Sequence, residues 1–197
     1  MFTGIIETTG LVKNILSSGT NITFWIACPL SKDLKVDQSV SHNGVCLTVE
    51  EIKNGMHRVT AIEETLLKTN LNTWKIDTAV NIERCMQMNG RLDGHIVQGH
   101  VDAMATCIDV ITKDGSWEYI FKLDKKFGTL IIEKGSISVN GISLTIFNVT
   151  DDAFTVAIIP YTYQHTNMQF LKIEDKINIE FDMIGKYVHR IMNFKSV

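Results

Sequence analysis

The feature that most constrains this chain is an echo. Ser39-Val40-Ser41-His42-Asn43-Gly44-Val45-Cys46-Leu47-Thr48 recurs as Ser136-Ile137-Ser138-Val139-Asn140-Gly141-Ile142-Ser143-Leu144-Thr145, 97 positions on, with six of ten residues identical. The same offset puts Val59-Thr60-Ala61-Ile62 on Val156-Ala157-Ile158-Ile159, Thr65, Thr69 and Asn70 on Thr162, Thr166 and Asn167, and Asn81-Ile82-Glu83 on Asn178-Ile179-Glu180. One ungapped register carries from about Thr3 to Asp182, the mark of a duplicated unit. A unit of this length is a small domain, not a solenoid repeat of roughly 20–50 residues. The expected division is residues 1–90, residues 91–183 and a C-terminal helix over 184–197. Met88-Asn89-Gly90-Arg91-Leu92-Asp93-Gly94 reads as the linker, with two glycines among polar neighbours.

Within each copy the pattern is β. Residues Ile5 to Lys13, Ile22 to Ile26, Met56 to Ile62 and Thr78 to Arg84 read as strands, with Ser17-Ser18-Gly19-Thr20-Asn21 as a turn. Asn43-Gly44 and Asp114-Gly115 are hairpin signals, because both residue types tolerate positive φ. After the first, Val45, Leu47 and Val49 alternate with Cys46, Thr48 and Glu50, so a period of two assigns them to opposite faces. Ile142, Leu144 and Ile146 repeat the apolar face, Ser143 and Thr145 the polar one. Glu63 to Leu71 is more helical in composition, and Pro160 ends the strand before it. Short strands at even spacing predict an all-β fold, a closed antiparallel barrel or a sandwich. Beyond the echo, Ile184, Tyr187, Val188 and Ile191 share one helical face, suited to an oligomer contact or to covering a barrel end.

The net charge of −3 argues against a nucleic-acid or anionic-membrane partner. No apolar run is long enough to span a bilayer. The start, Met1 to Glu7, does not look like a secretion signal, and Cys28, Cys46, Cys85 and Cys107 form no Cys-x-x-Cys pair. They read as free thiols in a reducing cytoplasm.

Three places can carry chemistry. Cys46/Thr48 and Ser143/Thr145 offer small polar faces that admit a flat ligand close to the backbone, although the pattern also describes an ordinary solvent face. In Gly94-His95-Ile96-Val97-Gln98-Gly99-His100-Val101-Asp102, read as a strand, His95 and His100 point to opposite faces and make a poor metal pair. His100 and Asp102 share a face and suit a proton shuttle at neutral pH. In the echo His100 stands opposite Thr3, so equivalent pockets would be chemically unequal. Asp182, whose echo is Cys85, is a third candidate, or simply a helix N-cap.

The start Met-Phe-Thr-Gly-Ile-Ile-Glu, the run Asn-Gly-Val-Cys-Leu-Thr-Val, Gly-His-Ile-Val-Gln-Gly-His-Val-Asp and Asn-Gly-Ile-Ser-Leu-Thr together resemble the riboflavin synthases of the α-chain type, over nearly the whole chain. The resemblance implies two tandem six-stranded antiparallel Greek-key barrels and a C-terminal helix that helps form a homotrimer. It implies that each barrel binds one 6,7-dimethyl-8-ribityllumazine and that no metal or redox cofactor takes part. It implies an active site between the first barrel of one subunit and the second barrel of its neighbour. Thr3, Gly4, Ile5, Ile6, Cys46, Leu47, Thr48 and Thr60-Ala61-Ile62-Glu63-Glu64-Thr65 match the family's first pocket. Gly99, His100, Val101, Lys134, Ser143, Leu144, Thr145 and Ile158-Ile159-Pro160-Tyr161-Thr162-Tyr163 match the second. Ser39, Cys46, His100, Ser143, Thr145 and Asp182 match positions linked to catalysis. The expected reaction moves a four-carbon unit between two lumazines, in the cytoplasm. The alternative is a non-catalytic lumazine or flavin carrier, which would lose the second-barrel motifs that are intact here.

Overall fold

The computed structural model describes residues 1–194. The first copy folds into β1 (Thr8–Ser18), β2 (Asn21–Ala27), β3 (Ser39–His42), β4 (Val45–Lys53), β5 (Met56–Ala61) and β6 (Ala79–Arg84). These close in the order β1-β2-β5-β4-β3-β6. The second copy contributes β7 (Ala103–Lys113), β8 (Ser116–Lys122), β9 (Ser136–Val139), β10 (Ile142–Phe147), β11 (Ala153–Ile158) and β12 (Lys176–Phe181), which close in the same circular order. Both copies are therefore closed Greek-key barrels, not sandwiches. Closure leaves no row of unpaired backbone groups at an edge.

The alternation read from the sequence is what closes them. Val45, Leu47 and Val49 are buried, while Cys46 is half-buried and Thr48 and Glu50 are exposed. Val12, Phe24, Ile26, Val40, Val59, Val80 and Ile82 fill the first barrel, and Phe121, Ile137, Val139, Ile146, Phe154, Val156, Ile177 and Ile179 the second. Fully burying each such side chain contributes roughly 1.5–3 kcal/mol. The first core is polar at three echo positions where the second is not. His42, His57 and Ser31 stand where Val139, Phe154 and Gly128 do, and they form a buried hydrogen-bonded chain. The two histidine Nε2 atoms lie 2.8 Å apart and Ser31 Oγ lies 2.9 Å from His57 Nδ1.

The hairpins fall at Asn43-Gly44 and Asn140-Gly141, all four residues at positive φ, and these two turns abut. A Cβ on Gly44 would lie 2.8 Å from Gly141 N, and one on Gly141 2.7 Å from Gly44 N. Around them the echoed asparagines bind the barrels together. Asn81 Nδ2 donates to Asn140 O and Asn167 Oδ1 at 3.0 and 2.9 Å, and Asn178 Nδ2 donates to Asn43 O at 2.9 Å. The Asn70 and Asn167 backbone N–H groups return bonds of 2.7 Å to Asn178 Oδ1 and Asn81 Oδ1. This seam is approximately two-fold because both halves of the chain supply the same residues.

Local departures from expectation have local causes. β1 starts at Thr8, not Ile5, and runs on to Ser18. The helix expected over Glu63 to Leu71 stops at Lys68 as α1 (Glu63–Lys68), because Thr69 turns its hydroxyl back onto Thr65 O at 2.7 Å. A 3₁₀ turn, Asn70–Thr73, follows. Pro160 does more than end a strand: it opens α2 (Pro160–His165), where its missing N–H costs nothing. The C-terminal helix, expected over 184–197, is α3 (Met183–Met192); residues 195–197 lie outside the described residues. Its Ile184, Tyr187, Val188 and Ile191 are each more than half exposed, so the face covers no barrel end within the chain. Among the described residues no helix is long and apolar enough to cross a membrane.

Candidate functional site

The site is built by two leading segments that change sides. Phe2 and Val97 pair antiparallel, with N–H···O distances of 2.7 and 3.1 Å. From there each segment runs onto the other copy's barrel. Ser143 N–H donates to Gly4 O at 2.8 Å, and Cys46 N–H donates to Gly99 O at 2.9 Å. Glycine is required at both crossings: φ is +76° and +81°, and a Cβ would lie 2.6 Å from the Ser143 or Cys46 Cβ. Ile6 packs on the second core and Val101 on the first. The pocket membership expected from the resemblance is therefore exchanged. Gly4-Ile5-Ile6 belongs with Ser143, and Gly99-His100-Val101 with Cys46.

Buried carboxylates hold the crossed segments. Glu83 accepts from the Thr3 N–H, the Thr3 hydroxyl and the Gly4 N–H at 2.7, 2.8 and 3.1 Å. Its echo Glu180 accepts from the Gln98, Gly99 and His100 N–H groups at 2.6, 2.9 and 2.9 Å. Burial pushes both carboxyls above the usual range, against the pull of these donors.

The first pocket is a cavity of about 340 Å³ walled by Cys46, Glu64, Thr65, Lys68, Gly99, His100, Val101 and Asp102. Burial pushes the Cys46 thiol up, and a hydrogen bond with Ser39 pulls it partly back, so at neutral pH it is a thiol. Ser39 pairs with Thr48 across the β3–β4 ladder, and its carbonyl accepts from Cys85 Sγ at 3.3 Å. Leu47 and Ala61 point into the core and not into the pocket. Thr60 shares a 2.9 Å hydroxyl contact with Thr23, while Ile62, Glu63 and Glu64 are exposed at the start of α1.

The other expected site residues stand around Ser143 and α2 (Pro160–His165). Thr145 is exposed and Leu144 half-buried beside it. Tyr163 stacks on Trp117 at 3.8 Å and Tyr161 on His165 at 4.1 Å, so both rings are held in place from α2. Ile158 belongs to the core, whereas Ile159 and Pro160 are exposed; Thr162 O is engaged by the Thr166 hydroxyl. Lys134 is exposed, at φ +64°, with Nζ 5.2 Å from the Phe147 ring centroid. Asp182 does cap α3, accepting from Ile184 N–H at 2.9 Å.

The segment Gly94–Asp102 is not the strand expected; only Val97 forms a bridge. Consequently the face-sharing pair His100/Asp102 is not formed. Asp102 bonds Lys186 Nζ and the Phe181 N–H, both at 2.9 Å, and so ties α3 to this segment. His95, set aside in the sequence, lies with Nδ1 2.7 Å from Ser143 Oγ. Glu83 and Glu180 were also passed over as site-builders. Their signal was an acid repeated inside an apolar strand. A cleft of about 860 Å³ lies along the asparagine seam. Among the described residues no three His, Cys, Asp or Glu side chains cluster as metal ligands would.

Two matched barrels, each crossed by the other copy's leading segment and with a pocket at the Cys46 crossing, define a duplicated barrel protein. The lumazine binding domain model matches residues 3–85 and again 98–182. The chain is 39% identical to the riboflavin synthase of Bacillus subtilis, over 98% of this chain and 90% of that protein. It is 36% identical to that of Saccharomyces cerevisiae, over 96% and 85%. LumP, solved with riboflavin, shares the fold with a TM-score of 0.86 at 21% identity, covering 92% of this chain and 99% of that one. LumP with 6,7-dimethyl-8-(1'-D-ribityl) lumazine superposes with a TM-score of 0.84, again at 21% identity, over 91% and 98%. The chain belongs to the riboflavin synthase family.

Proposed function

We infer that this chain is a transferase acting on two molecules of 6,7-dimethyl-8-ribityllumazine, one per pocket. It moves a four-carbon unit from one to the other and releases riboflavin and 5-amino-6-ribitylamino-uracil. The observation that carries this reading is the pair of crossings with one architecture and two chemistries: His100 with Cys46 at the first, His95 with Ser143 at the second. Identical substrates must take different roles, and unlike pockets can impose them. Holding two rings face to face replaces a bimolecular encounter, an advantage of roughly 7–11 kcal/mol.

In this reading His100 takes a proton from the C7 methyl of one lumazine, since imidazole suits proton transfer at neutral pH. Burial keeps Cys46 a thiol, so addition at C7 of the other ring falls to Ser143 or a water and not to a thiolate. Asp182 assists later proton transfers. The unpartnered apolar face of α3 supports a homotrimer in which the first barrel of one subunit meets the second barrel of the next. The test is to mix the purified protein with the lumazine and a chelator and follow riboflavin by absorbance. Turnover is expected, and H100A is expected to lose roughly 10²–10⁴-fold in kcat. Tight fluorescent binding without product would make the chain a carrier, and full turnover by H100A would remove the proposed base.

A further inference from the structure

His95 is buried at 8% exposure, with Nδ1 2.7 Å from Ser143 Oγ and with Nε2 lacking any hydrogen-bond partner among the described residues. The contact is built, not incidental. His95 N–H donates to Thr3 O at 3.1 Å, and any Cβ at Gly94 would run into Thr3 O and lie 2.8 Å from the Ser143 Cβ. Burial holds the imidazole below its usual range, against the pull of Asp182, so the ring is neutral and carries one N–H. Were that hydrogen on Nε2, a buried donor would have no acceptor, which folded proteins almost never leave. On Nδ1, it donates to Ser143 Oγ and leaves only a lone pair unmet. The Ser143 O–H is then free to point at a ligand. At the echo position stands Cys46, and a thiol is a weak donor.

We propose that His95 is a positioning residue that fixes Ser143 as a hydrogen-bond donor to charge that develops on the lumazine held at the second barrel. This rests on the function inferred above. A preorganised donor aimed at developing charge stabilises it without reorganisation. Of the two groups named above for addition at C7, this leaves the water.

Two measurements test this. Imidazole ¹⁵N shifts of the ligand-free protein report the tautomer directly: His95 is expected as the Nδ1–H form, and an Nε2–H form overturns the proposal whether or not the protein turns over. In steady-state kinetics with the lumazine, S143A is expected to lose about 100-fold in kcat, with KM changed much less. H95A is expected to lose no more than S143A, and H95A/S143A to match S143A alone, since the histidine acts only through the serine. H95N, whose amide nitrogen can replace Nδ1, is expected to recover most of the loss. Multiplying losses in the double variant, or full turnover by H95A, would refute the assignment. Absence of riboflavin from the unmodified chain would instead remove the functional reading, with the tautomer still judging the pair.

Discussion

Replacing Glu180 by Gln isolates what holds His100 in place. The carboxylate accepts three backbone N–H groups, Gln98 on one oxygen and Gly99 and His100 on the other. A Gln can keep its oxygen toward two of them, but its NH₂ then faces the third donor. A buried donor left unmet costs about 1–3 kcal/mol, and the two surviving bonds lose the charge that made them about twice as strong. Part of this is offset, because burial already penalises the charged carboxyl. The net expected loss is about 3 kcal/mol, concentrated on residues 97–101. The Gly99 and His100 amides are expected to exchange with solvent about 100-fold faster by mass spectrometry or NMR. Riboflavin formation is expected to fall by at least tenfold, as His100 and the Gly99 carbonyl leave Cys46. E83Q is expected to loosen Thr3-Gly4 in the same way at Ser143. Unchanged exchange at 98–100, with turnover within about twofold of the unmodified protein, would refute the anchoring argument.

The buried His42–His57 pair makes stability depend on pH. Burial holds His57 down to about 4, and burial with the neighbouring imidazole holds His42 well below its usual range. An unfolded chain protonates both near pH 6.5, so the unfolded state binds the extra protons. Stability is therefore full above about pH 7 and falls as pH drops from about 6.5 toward 4, by on the order of 3 kcal/mol for His57 alone. Urea unfolding at pH 7.5 and 5 checks this, and H42V/H57F, the second barrel's own residues, is expected to flatten the dependence. G44A sets a Cβ against Gly141 N at a residue with φ of +79°, and a loss of about 2 kcal/mol is expected by calorimetry, with the melts of the two barrels separating. I191E is expected to convert a trimer into monomers in sedimentation equilibrium while leaving each barrel folded, since Ile191 is 68% exposed in the single chain.

The echo and the alternation carried the fold a long way. Val45/Leu47/Val49 against Cys46/Thr48 is a statement about a pleated strand, and neighbouring Cβ atoms obey it whatever lies further off. Asn-Gly at 43–44 and 140–141 demanded positive φ and obtained it. Because both copies carry these local signals, two similar barrels followed without any knowledge of contacts between them. The site was legible only as a set of residue types. Cys46, His100 and Gly99 line the pocket and Ser143 the other crossing, but the grouping implied by the resemblance set Gly4 with Cys46 and Gly99 with Ser143, and the crossings reverse it. The segment from Gly94 to Asp102 misled for the same reason: its apolar–polar pattern is satisfied by a crossing held on Glu180 as well as by a strand.

What the tertiary structure decided is every relation across the duplication. Asn43, Asn70 and Asn81 repeat as Asn140, Asn167 and Asn178, yet repetition does not say that an amide reaches its neighbour's carbonyl in place of water. His95 could be set aside as a ligand while its distance from Ser143 was unknown. Local backbone preference acts over a few residues and is written in composition. The exchange of leading segments, the asparagine seam and the His95–Ser143 pair depend on which distant surfaces meet once both barrels have closed, and that follows from shape and hydrogen-bond completion between residues from 48 to more than 130 positions apart, not from any spacing within the chain.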